Sequence, residues 1–407
     1  ALTHPLYIAA GVTAVRDMGG CLGEYDSWVA CAVDKRNWHR AVEAGEMIGP
    51  RFDQVSSLAI NGGKEIPSGR DPALGAADAK GARQRVALDA ARGIDFLKPY
   101  SMLPREGYFA LVDSARERGM YLAGHKPLAV SGMEAAAAGQ RSIEHAFLFI
   151  WECYPGIVGL RELGEISATY THETRREMIE QHDAEQCAAL RGAMVAAGTA
   201  FVPTHTTRKL DAYSLDPEYR NDPRLRYVPA PLRILWLADA NGMAERAGEI
   251  GYSSYREFYE FGIEQTGRAH AAGVTVLAGT DAPDSFAFPG FGLHDELGHL
   301  SQAGLSPLDV LRAATVEPAR FLGLEGEAGV IAAGARADIV LLRENPLDDI
   351  EAVRSVDTVV LAGRLYDRDR LDTLLSQVED SASHWSVWPK FVWQALRSPI
   401  LRAQFAD

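Results

Sequence analysis

The chain has 407 residues, 47% of them hydrophobic, and 41 Lys and Arg stand against 55 Asp and Glu for a net charge of −14. That length exceeds one small domain and suits a large α/β unit of about 250 residues or more with accessory parts. The acid excess disfavours a nucleic-acid partner, and no run reaches the roughly 18 apolar residues of a membrane span.

Short apolar runs alternate with helical stretches from Val12 onward. Seven are candidate strands: 12–18, 51–59, 94–101, 121–126, 141–147, 200–207 and 274–282. Amphipathic segments separate several of them. In 105-REGYFALVDSARERG-119, Phe109, Leu111, Val112 and Ala115 share a face, and Gly119 ends the helix. The same order of helix, Gly and strand recurs at Gly11, Gly93, Gly139, Gly198 and Gly273. Repeated units of this kind predict a parallel sheet covered by helices, and seven or eight of them favour a closed (β/α)8 barrel. No GxGxxG or Walker sequence follows the first strand, which weakens a nucleotide-binding alternative.

Two long connections, from about 147 to 200 and from 207 to 274, are read as largely helical insertions over the barrel mouth. The barrel is expected over 1–322. A small β unit follows over 323–366, with strands at 337–342 and 356–363. The tail, 367–407, carries Trp385, Trp388 and Trp393 and is expected to pack on the body or on a partner. A homo-oligomer is the expected assembly. Cys21, Cys31, Cys153 and Cys187 form no CxxC pair and read as isolated thiols, with a Cys21–Cys31 bridge left open. The chain begins at Ala1 with no visible leader, so localisation stays open between cytoplasm and, after loss of an upstream leader, an export compartment.

Catalytic side chains in such barrels sit at the C-terminal ends of strands. Here those ends carry Lys98, His125, His145, His205 and Asp281. Each alone has an ordinary structural explanation: Lys98 as an ion-pair partner, the histidines as buried hydrogen-bonding groups, Asp281 as a helix cap. Together, in order on successive strands, they point to a divalent metal, with zinc the default for imidazole and carboxylate donors. Lys98 would need carbamylation to ligate, since its ammonium has no lone pair. Tyr100, two residues past Lys98 on the same strand face, is a candidate oxyanion donor, and His205 a candidate substrate contact.

The pattern resembles the amidohydrolase superfamily, within it the imidazolonepropionase-like and prolidase-like enzymes. The matching text is 11-GVTAVRDMGG-20, 95-DFLKPY-100, 124-GHKP-127, 144-EHA-146, 279-GTDAP-283, 313-AATVEPARFLGL-324 and 329-GVIAAGARADIVLLRENPLDDI-350. The resemblance implies a carbamylated Lys98 bridging two metals, His125 and His145 as ligands, and Asp281 as ligand and general base. It implies hydrolysis of an amide bond of a small molecule by metal-activated hydroxide. Two features depart from it. The family's first strand ends in His-x-His, and none occurs in this chain. That strand and the first half of the family's β-sandwich are expected to be missing, as from a truncated chain. Where prolidase-like members carry Gly-Gly-His, this chain has 61-NGGKEIP-67, so Lys64 is a candidate for an anionic substrate group. The missing ligands keep open a non-catalytic scaffold, and Lys98 keeps open a Schiff-base lyase or isomerase.

Overall fold

A computed structural model describes residues 2–21, 29–62, 75–163 and 171–398, with the side chains of 162, 163, 246–250, 252 and 395 left aside. Lys64 lies outside the described residues.

Six short strands form the parallel part: β1 (Ala14–Asp17), β2 (Arg51–Val55), β3 (Phe96–Leu97), β4 (Tyr121–Gly124), β5 (Ser142–Glu144) and β6 (Ala200–Val202). β1 pairs with β2, and β3 to β6 pair in sequence order. Parallel bridges from Ser56 to Phe96 and from Ile60 to Pro99 join the two groups. A last bridge, Phe201 to Val276, adds the segment expected as the seventh strand, although it forms no longer ladder. Each parallel return needs a crossover. Helices such as Ala79–Ala91, Arg105–Arg116 and Ala184–Ala197 supply them. The glycines that end five of these crossovers, Gly93, Gly119, Gly139, Gly198 and Gly273, all have φ between 66° and 90°. A side chain would be strained there, which explains the repeat seen in the sequence.

The order β1 to β6 and then Val276 is an arc. No pairing joins its two ends among the described residues. Between the ends lies a cavity of about 1770 Å³, lined on one side by Ala14, Val15, Arg16 and Asp17 and on the other by Leu277 to Asp281. Outside the arc, the main core buries Leu97, Leu111, Leu122, Ile143, Phe149, Met194 and Phe201 between strands and helices.

Three antiparallel strands follow: β7 (Ile339–Leu342), β8 (Val356–Leu361) and β9 (Arg364–Tyr366). They share a second core with the opening residues. Ile8 and Val42 pack with Val359, Leu361, Leu371 and Leu374. The apolar packing therefore crosses both expected boundaries, at 322 and at 366.

The tail divides in two. Helix Arg368–Ser383 buries Leu371, Leu374, Val378 and Ala382. Beyond it, Trp385 and Trp393 are 73% and 60% exposed and Trp388 is exposed as well. Of the two expected places for these tryptophans, the body and a partner, the body does not cover them, because the helix that carries two of them, Val387–Arg397, turns its apolar stripe outward. The isolated-thiol expectation is also corrected. Cys21 bonds Cys31, and Cys153 bonds Cys187 across 34 residues. Helices Phe147–Glu152 and Ala184–Ala197 pack together and bring the Cα atoms of the second pair to 5.0 Å, a proximity that spacing along the chain does not encode.

Candidate metal centre and active site

In a parallel arc all strand C-termini lie on one side. His125 follows β4, and its amide donates to Pro99 O at 3.1 Å. His145 follows β5, with φ 77° and its amide bonded to Val202 O at 2.8 Å. The two rings meet edge to face, with centroids 4.6 Å apart and Nε2 to Nε2 at 2.9 Å. The far nitrogens are anchored. His125 Nδ1 meets Ser101 Oγ at 2.8 Å, and His145 Nδ1 meets Thr204 Oγ1 at 2.7 Å. With each Nδ1–H donated to a hydroxyl, both Nε2 lone pairs face the same point.

Burial pushes His125 well below the usual imidazole value, with the charges of His145, Lys98 and Arg208 adding to it. Burial also brings His145 down to about 4. Both rings are neutral at pH 7 and free to ligate. Two nitrogens about 2.0–2.1 Å from one ion stand about 3.3 Å apart around tetrahedral zinc and about 2.9 Å apart at the right angle of an octahedral ion, so the pair has to open by at most a few tenths of an ångström. The pair thus fits a divalent cation, and hydroxyl partners on the remote nitrogens are what ligating imidazoles need.

Lys98 follows β3. Its amide is held by Ser57 Oγ at 2.9 Å, and Nζ donates to Met18 O at 3.0 Å. Asp281 stands opposite, with φ 55°, before the cis Ala282–Pro283 bond. Burial works to raise its pKa, but Lys98, His145 and Arg208 hold it below the usual carboxylate range. Lys98, His145 and Asp281 all line the cavity. The alternative of Asp281 as a cap finds no helix to cap, since the next one starts at Phe291. The Tyr100 ring lies 4.0 Å from that of His125. Burial, then Asp281 and Asp284, raise its pKa and keep the phenol protonated.

His205 is not brought to this group. The chain leaves β6 at Val202 and turns into helix His205–Tyr213 through Thr204, at φ 46°. The ring of His205 is fully buried on the helical side, where Nε2 pairs with Thr266 Oγ1 at 2.9 Å. The hydroxyl of Thr204, and not His205, reaches the ring of His145, because the strand ends at Val202 and the chain turns into the helix.

Several neighbours were not foreseen. Glu144, one residue before His145, receives Arg16 Nη2 at 2.8 Å and Ser142 Oγ at 2.6 Å, while its Oε2 is buried without a hydrogen-bond partner. Asp17 pairs with Lys35 at 2.6 Å in the same cavity. Arg208, one helical turn into the helix after β6, depresses the pKa of Asp281 and of both histidines. Gln140 braces the floor. Its Nε2 donates to Gly124 O at 3.1 Å, His125 O at 3.3 Å and Ser142 O at 3.0 Å, and its Oε1 accepts from Tyr108. Glu144 and Arg16 adjoin quoted motifs and could have been suspected. Arg208 and Gln140 carry no local signal, since their partners lie on other elements.

Residues 8–366 match the amidohydrolase family. A mycobacterial protein without assigned function, from Mycobacterium tuberculosis, is 30% identical over 137 residues, which is 33% of this chain and 35% of that protein. The chain thus matches about a third of the length of this curated relative. Among solved structures, the bottromycin amidohydrolase superposes with a TM-score of 0.72 at 22% identity, covering 94% of this chain and 77% of that one. A Xaa-Pro dipeptidase with bound methionine gives 0.59 at 20% identity, covering 90% and 77%. At such identities the two structures testify to a shared fold. The family match, spanning most of the chain and all the strand-end residues described above, shows that this protein belongs to the amidohydrolase family.

Proposed function

We propose that the chain carries the catalytic face of a metal-dependent hydrolase acting on the C–N bond of a small amide: a dipeptide, an N-acyl amino acid or a cyclic amide. The observation that carries this reading is the convergence of His125 and His145 through Nε2 at 2.9 Å, with both Nδ1 atoms engaged by hydroxyls. His125 and His145 would hold a divalent ion, zinc by donor type, with carbamylated Lys98 and Asp281 as further ligands. Such an ion supplies Lewis acidity to the scissile carbonyl and to water.

The chain's own groups would do the rest. Asp281, held ionised by its cationic neighbours, would accept a proton from the attacking water and pass it to the leaving nitrogen. The Tyr100 phenol, kept protonated, would donate to the developing oxyanion. Arg208 would pair with a carboxylate of the substrate. Lys64 is a further proposed partner for such a group. The parallel order and the cavity between its ends support a (β/α)8 barrel with its first position open. The exposed tail tryptophans support a homo-oligomer, which light scattering would test.

A non-catalytic scaffold draws on one observation. Among the described residues, His125, His145 and Asp281 do not form a cluster with all ligand atoms within 4.8 Å of one another. Elemental analysis after zinc loading, together with hydrolysis assays on dipeptides and N-acyl amino acids, separates the two. Metal bound in the wild type and lost in His145→Ala, with turnover of an amide, supports the hydrolase. Zinc binding equal in both proteins, with no turnover, sinks it.

A further inference from the structure

Away from this site, three helices meet at a second set of metal-capable side chains. Cys153 ends helix Phe147–Glu152, Cys187 lies in the first turns of helix Ala184–Ala197, and His182 sits in the short link that precedes that helix. One ligand atom from each lies within 4.8 Å of the other two, the only such grouping among the described residues. The backbone around them is fixed. Asp183 N donates to Cys153 O at 2.8 Å, and the Asp183 carboxylate accepts from Glu185 N and Gln186 N at 2.8 and 2.9 Å.

Cys153 and Cys187 are joined by a disulfide. That bond satisfies the sulfurs and leaves the imidazole unexplained. His182 packs edge-on against Phe261 at 4.9 Å, and neither ring nitrogen has a hydrogen-bond partner although both are shielded from solvent. Buried polar atoms are nearly always paired, so two orphans on one ring call for an explanation. Beside them, Gln265 Oε1 lies 3.8 Å from Cys187 Sγ, while its Nε2 is also buried without a partner. Two sulfurs and an imidazole are the donor set of zinc and other thiophilic divalent ions. Donors about 2.0–2.3 Å from one ion stand roughly 3.3–3.8 Å apart, within reach of this cluster.

We propose that Cys153, Cys187 and His182 form a second metal site, distinct from the His125–His145 centre, which takes a zinc-like ion when the disulfide is reduced. A trialkylphosphine and one water reduce the bond: phosphorus takes the oxygen and becomes the phosphine oxide, and the sulfurs take the two protons as thiols. Binding of the divalent ion then releases those two protons to solvent, and the thiolates and the neutral imidazole ligate. The site closes the helix that starts two residues after His145, whose ring stacks on Phe147 at 5.5 Å.

The test uses the full chain, oxidised and phosphine-reduced, desalted without air and titrated with cobalt(II). The reduced protein should bind one more equivalent than the oxidised protein and show a near-ultraviolet thiolate-to-cobalt charge-transfer band. Cys187→Ser should lose the band, and Cys31→Ser and His145→Ala should keep it. His182→Ala, on a half-buried link and therefore tolerant of truncation, should weaken cobalt binding at least tenfold. No added equivalent and no band on reduction would overturn the proposal, as would unchanged affinity in His182→Ala. The His125–His145 centre contains no sulfur, and Cys31→Ser breaks the other thiol pair, Cys21–Cys31, so a band kept in Cys31→Ser and lost in Cys187→Ser reports on this site.

Discussion

Replacing Thr204 by Val removes one oxygen from the support of His145 and little else. Thr and Val share their shape and β-branching, so the backbone at φ 46° carries the same strain in both. The lost partner is the hydroxyl 2.7 Å from His145 Nδ1, in a pair exposed by only 3% and 7%. A buried ring nitrogen without a partner costs about 1–3 kcal/mol. The ring also loses what fixes its tautomer and direction, a change that typically lowers metal affinity about 10–100-fold. That range corresponds to about 1.4–2.8 kcal/mol of binding free energy. Competition of the protein with a fluorescent chelator for zinc would measure the affinity, and urea unfolding of the metal-free protein would measure the fold separately. Thr204→Ser, which keeps the oxygen, should bind like the wild type. If Thr204→Val binds zinc within about twofold of the wild type while its unfolding midpoint drops, the hydroxyl only stabilises the fold, and the argument from the paired imidazoles fails.

Lys98→Ala should abolish hydrolysis, and bicarbonate or short carboxylates should partly restore it; a fully active variant would return Lys98 to its bond with Met18 O. Asp281→Asn should lower kcat by about 10²–10⁴-fold, the usual cost of losing a proton-transfer group, with the fold intact; a drop below tenfold would remove Asp281 from the base role. Acid should destabilise the protein through His4, His294 and His299, which burial holds near 3, 4 and 3 against an ordinary 6.5. Above pH 6.5 these rings are neutral in both folded and unfolded chains, whereas between 6.5 and about 4 only the unfolded chain takes up protons, so stability falls as pH falls. At pH 5 each ring contributes a loss of about 2 kcal/mol. Urea midpoints at pH 7 and pH 5 should differ accordingly, and His299→Gln should shrink the difference; equal midpoints would contradict the assignment.

Much of the architecture is legible in the chain because local rules govern it. Strand and helix periodicity places β1, β2 and β4 to β6 within a few residues, and the repeated Gly marks the crossovers because each sits at positive φ. The order of Lys98, His125, His145 and Asp281 is legible for the same reason. Parallel strands put their C-terminal ends on one side, so residues that end successive strands must share a face. Less legible was what depends on distant elements. His205 looked like a strand-end substrate contact, but β6 stops at Val202 and the ring turns toward Thr266 on a helix of 42 residues. The division at 322 and 366 looked natural from the change of pattern, yet Ile8 and Val42 pack with Val359 and Leu371.

By itself, then, the sequence determined the kind of units, their order and the donor types at the strand ends, since these follow from backbone sterics, side-chain periodicity and coordination chemistry within a few residues. Only the tertiary structure decided which nitrogen meets which. It turned the Nε2 atoms of His125 and His145 toward each other by anchoring Nδ1 to Ser101 and Thr204. It surrounded Asp281 with Lys98, His145 and Arg208, and it brought Cys153 to His182 and to Cys187, 34 residues further along the chain. These are matters of packing between helices and strands far apart in the chain, where a few ångströms separate a ligand from a core residue and no local pattern records the distance.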